Sequence, residues 1–133
     1  MVERRSRTTK GIVVCIDGDS QWCERVAEAL EVHGYHVLAI QNPWDGVELV
    51  RIRKPDAVVV ASDPVNNAGG LRRTVTRHLP AHAALILRSR ESVPDGHVAG
   101  AQGDDSRVLR VHGSIGVDGL RSLLDQTIEQ RRR

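Results

Sequence analysis

Five short apolar runs set the tightest limit on what this chain can fold into: Gly11 to Ile16 (GIVVCI), Tyr35 to Ile40 (YHVLAI), Ala57 to Ala61 (AVVVA), Ala83 to Leu87 (AALIL) and Arg107 to Val111 (RVLRV). Several are continuous in apolar residues instead of alternating with polar ones, the pattern of strands covered on both faces of a parallel sheet. Parallel neighbours cannot be joined by a hairpin and need a crossover, usually a helix. The sequence between the runs supplies those helices. Ser20 can cap a helix over about Gln21 to His33 with Trp22, Val26, Ala29 and Leu30 at helical spacing, and Gly34 can take the left-handed conformation that ends it. Asn42 and Pro43 offer a cap and a first-turn proline for a second helix carrying Val47, Val50 and Ile52, which Pro55 stops.

Ser62 to Gly70 is dense in turn formers and precedes a helical segment from Leu71 to Leu79. Arg90 to Asp105 is polar and glycine-containing, and the only helix it predicts is a short one near Val93 to Ala101. Leu120, Leu123, Leu124 and Ile128 form an amphipathic stripe on a last helix running towards Gln130. The whole predicts an α/β chain of the flavodoxin-like (βα)5 plan, a three-layer sandwich around a five-stranded parallel sheet. At 133 residues it suits one domain, read as 11–130, between a flexible basic segment at 1–10 and a basic tail at 131–133. The core must be aliphatic, since the only aromatic residues are Trp22, Trp44 and Tyr35.

The charge balance of +2 comes largely from Arg4, Arg5, Arg7 and Lys10 and from Arg131, Arg132 and Arg133, which read as solvated ends; no motif for specific nucleic-acid binding accompanies them. With no secretory segment and no apolar run of membrane-spanning length, no membrane association and a cytoplasmic location are expected. Cys15 and Cys23 fit no metal or disulfide framework and read as buried reduced thiols, with a redox role the sharper alternative. The six histidines, His33, His36, His78, His82, His97 and His112, have no zinc-site spacing. No phosphate-cradling glycine loop and no nucleophile with its base is present, so an enzyme is not expected.

IVVCIDGDS followed by a helix ending in GYHV, then GVELVRIRKPDAVVVA followed by a glycine pair, resembles the receiver domain of two-component response regulators over nearly the whole chain. The resemblance implies an acidic metal-binding cluster after the first strand, a phosphoacceptor aspartate ending the third, a hydroxyl after the fourth and a lysine after the fifth. Carboxylates hold the hard cation, metal and lysine neutralise phosphoryl oxygens, and the hydroxyl senses the modification. The phosphoacceptor position falls six residues after Pro55 and eight before Gly69, at Ala61, which cannot form an acyl phosphate. The first acidic position is Asp17, but the second is Gly18, with Asp19 beside it. The hydroxyl position falls at Arg88 or, one residue on, Ser89, and the lysine position near Arg110 or Val111.

The chain therefore resembles a degenerate pseudo-receiver: a stand-alone, phosphorylation-independent interaction module acting on a signalling partner in trans or as a homodimer, through a face such as the one between the fourth and fifth helices that many family members pair through. One alternative is a phosphoacceptor at Asp63 with Mg2+ held by Asp17 and Asp19. Two residues along a strand is more than about 6 Å, however, and Asp63-Pro64 also reads as a turn opening. A small-ligand sensor using the vacated pocket is the other. No cofactor is expected, since a lone pair of carboxylates holds Mg2+ only weakly. Arg88 is expected to project into the pocket and pair with Asp17, Asp19 or Asp63, fixing one state.

Overall fold

The computed structural model describes residues 9–62, 68–89, 99–100, 107–112 and 115–131. In chain order the elements are β1 (Gly11–Ile16), α1 (Ser20–Val32), β2 (Tyr35–Ile40), α2 (Pro43–Arg53), β3 (Ala57–Ser62), α3 (Ala68–His78), β4 (Ala84–Ser89), β5 (Ala99–Gly100), β6 (Val108–His112) and α4 (Val117–Arg131). The strand order is β2-β1-β3-β4-β6-β5. β1, β2, β3, β4 and β6 are mutually parallel, as the apolar runs predict, while β5 pairs antiparallel on the outer edge of β6.

Strand alternation sorts the core into two layers. Val13, Cys15, Val59, Ile86 and Val111 face α1 and α4, packing on Trp22, Val26, Leu30, Leu120 and Leu124. Val14, Ile16, Val58, Val60, Leu85 and Leu87 face α2 and α3, packing on Val47, Val50, Leu71, Val75 and Leu79. Both faces of the central strands are thus covered, which is why their sequences do not alternate.

Several expectations need correction. Asp19, not Ser20, caps α1: its side chain accepts the Trp22 N–H at 3.1 Å, and Ser20 is already the first helical residue. Ile52 is 59% exposed; it lies about 200° round the helix axis from buried Val50. Ala99 and Gly100, placed in a helix by the sequence reading, instead form β5, covering part of an otherwise open sheet edge. The rest of that expected helix lies outside the described residues. Lys10 does not belong to a free segment, because its N–H donates to Gly34 O at 2.8 Å and its ammonium lies 3.5 Å from Asp125. Arg131 closes α4 instead of opening a tail. Asn42 caps α2 ahead of Pro43, and Gly34 has φ +99°, as expected.

Candidate functional site

The strand order reverses direction at β1 and β3, and ligands of open α/β sheets bind beyond the carboxyl ends of the strands at such a point. Asp17 follows β1 there and is tied down by its own N–H, which donates to Ile40 O at 3.1 Å. Its carboxylate is 6% exposed; one oxygen accepts the Asp19 N–H at 2.9 Å and the other the Arg88 guanidinium at 2.7 Å. The Arg88 side chain is itself only 12% exposed.

The register explains how an arginine on β4 reaches a carboxylate after β1. Arg88 is the Cα partner of Ala61, and Ile16 is the partner of Val60, so Asp17, Ala61 and Arg88 stand abreast across three neighbouring strands. Alternation puts all three on the side of the sheet that carries Cys15, Val59 and Ile86, beneath α1. β1 and β4 flank β3 at roughly 10 Å, two strand spacings, and the methyl group of Ala61 leaves that path open. Above it the guanidinium carbon sits 4.2 Å from the centroid of the Trp22 ring. A cation over an indole face in a desolvated place is attracted by about 2 kcal/mol. Carboxylate, guanidinium and indole are thus in contact one after another at this end of the sheet.

In this arrangement one Asp17 oxygen accepts the Asp19 N–H and the other the Arg88 guanidinium, one Asp19 oxygen accepts the Trp22 N–H, and position 18 has no side chain. Among the described residues no three His, Cys, Asp or Glu side chains gather where they could hold a metal.

Of the other residues named from sequence, Ser89 ends β4 opposite Ser62 and His112. Arg110 lies in β6 in register with Leu87 and Ala99, between Leu109 and Val111, which pack on the α1 and α4 side. Asp63 lies outside the described residues. Trp22 has the spacing of an ordinary core position of α1, and that spacing does not show its place as the roof over Arg88. The available signal was its position in the first turn of the helix that follows the acidic loop, which aims it at the strand ends. Its indole N–H is buried with no hydrogen-bond partner among the described residues.

No family model and no curated protein matches the sequence. Solved structures do match in fold. The receiver domain of the hybrid histidine kinase CckA superposes with a TM-score of 0.72 at 14% identity, covering 89% of this chain and 99% of that one. A response regulator from Thermotoga maritima gives 0.69 at 19% identity, covering 89% and 97%. A transiently phosphorylated switch in bacterial signal transduction gives 0.73 at 20% identity, covering 94% and 99%. The chain has the fold of these receiver domains.

Proposed function

We propose that this chain is a receiver-type signalling module that acts through protein contacts, not as an enzyme, and without phosphorylation at position 61. Its partner is a signalling protein in trans or a second copy of the chain. The observation that carries the reading is the Arg88–Asp17 pair, closed at 2.7 Å across an alanine. Where the resemblance calls for a carboxylate to accept a phosphoryl group and a hydroxyl to answer it, this chain has a methyl group and a guanidinium. Removing the guanidinium from Asp17 would strand a buried carboxylate, at a cost of about 3–5 kcal/mol. A change of state that needs this separation is therefore rare unless something binds the separated form more tightly. The site acts as a fixed strut, and regulation must come from the partner or from chemistry elsewhere in the chain.

Incubation with acetyl phosphate and Mg2+, followed by intact-mass measurement, tests this. The mass is expected to stay unchanged. Gain of one phosphoryl group that disappears in Asp63→Ala would overturn the reading in favour of a displaced phosphoacceptor.

A further inference from the structure

Directly behind Asp17 lie the two cysteines, Cys15 on β1 and Cys23 in α1, both free thiols and both buried. Their sulfur atoms are 4.0 Å apart. The Cys23 thiol also donates to the main-chain carbonyl of Asp17 at 3.4 Å, and the carboxylate of that same residue holds Arg88. Cys15, Cys23, Asp17, Arg88 and Trp22 thus form one run of contacts from the core to the end of the sheet. The hydrogen bond with Cys23, and then burial, push the Cys15 thiol well above its usual range, while the hydrogen bond from Cys15 holds Cys23 below its own. Cys23 also sits near the amino end of α1, a place that favours thiolate. Position separates the two sulfurs: Cys23, near the amino end of α1 and not fully enclosed, is placed as the nucleophile, and Cys15, wholly enclosed on β1, as the resolving thiol.

We propose that Cys15 and Cys23 are a peroxide-sensitive dithiol, and that its oxidation to an intramolecular disulfide loosens the Asp17–Arg88 strut. The Cys23 thiolate attacks one oxygen of hydrogen peroxide, the O–O bond breaks, and the departing hydroxide takes up the proton that Cys23 gave away. Cys15 then attacks the sulfenic sulfur; the S–S bond forms, the S–O bond breaks, and the second hydroxide leaves as water with the Cys15 proton. Two thiols are oxidised and one peroxide is reduced to two waters. Bonding at about 2 Å draws Cys23 towards β1 and, with it, the first turn of α1, where Trp22 is the adjacent residue. The disulfide also has no S–H left to donate to the Asp17 carbonyl. The disulfide itself does not depend on the functional reading above; its effect on the strut does.

The test uses the whole folded chain, reduced and then treated with hydrogen peroxide, with intact mass and non-reducing peptide mapping as the first readout. Loss of two hydrogens, reversed by dithiothreitol, with Cys15 and Cys23 peptides linked within one chain, is expected. Oxygen adducts without the linked peptide, or bridges only between chains, would overturn the proposal. The second readout is Trp22 emission in a Trp44→Phe background, since Trp44 is 58% exposed and would mask it. A red shift on oxidation, absent when Cys15→Ala or Cys23→Ala is added, is expected; a disulfide that leaves Trp22 unchanged would overturn its action on the strut. Phosphoryl uptake by the unmodified chain would sink the functional reading while leaving the mass result standing.

Discussion

Arg88 reaches Asp17 across Ala61, so an ion pair spans three neighbouring strands at the carboxyl end of the sheet. The pair is nearly dry, at 12% and 6% side-chain exposure. Arg88→Met keeps the aliphatic bulk against Trp22 but leaves the Asp17 carboxylate, among the described residues, with the Asp19 N–H alone. Urea unfolding should show a loss of about 3 kcal/mol, near the lower end of the range for breaking a buried pair. A loss within about 0.5 kcal/mol, as for an ordinary surface position, would mean that the pair is solvated in solution.

Ala61 lies in register between the strands that carry Asp17 and Arg88, where a larger side chain would compete with the guanidinium for space. Ala61→Leu should force Arg88 aside and cost about 1–3 kcal/mol, the usual range for overpacking. It should also shift Trp22 emission to the red in the Trp44→Phe background. Retained stability with unchanged emission would place the arginine elsewhere.

The cap of α1 separates two neighbouring hydroxyl- and carboxyl-bearing residues. Asp19→Ala should cost about 1 kcal/mol, whereas Ser20→Ala should change stability by a few tenths of that at most. The opposite order would restore the assignment made from sequence.

Much of the fold was legible because its signals are local. Continuous apolar runs mark strands buried on both sides, and Asn42-Pro43 and Gly34 mark helix ends through their own backbone preferences. Asp19 and Ser20 are both good caps, and only the backbone decides between them. β5 was not legible, because two residues pairing on a sheet edge carry no periodicity. At the site, the counts that reach Asp17, Ala61 and Arg88 were sufficient to expect an arginine in the pocket with Asp17 as one of three candidate partners. The choice of Asp17, and the roof of Trp22, depend on strand order and side-chain direction, which spacing alone does not contain.

Gly46 carries a packing prediction. A Cβ there would come within 2.5 Å of Ile16 Cδ1 and 3.1 Å of Ile40 Cγ2. Alanine normally gains about 1 kcal/mol over glycine in a helix, but here Gly46→Ala should destabilise by about 1–3 kcal/mol through overpacking. A stabilised variant would show that α2 can lift from the sheet freely.

Asp125 supplies the pH dependence. Burial pushes its carboxyl up, but the Tyr35 hydroxyl, Lys10 and Arg121 outweigh that and leave it below the ordinary carboxylate value. Because the folded value lies below the unfolded one, its contribution is complete above about pH 3.9 and is lost as pH falls through the folded value. The stability gap between the unmodified chain and Asp125→Asn should therefore be constant from neutral pH to about pH 5 and should shrink below pH 4. A gap that shrinks instead as pH rises above neutrality would contradict the assignment.

The most direct test of the strut is a double-mutant cycle on Asp17 and Arg88, comparing Asp17→Asn, Arg88→Met and both together by urea unfolding. A buried pair that holds the site in one state predicts a coupling of about 2 kcal/mol, with the double variant more stable than the sum of the single losses implies. Additive losses, with coupling near zero, would contradict the account.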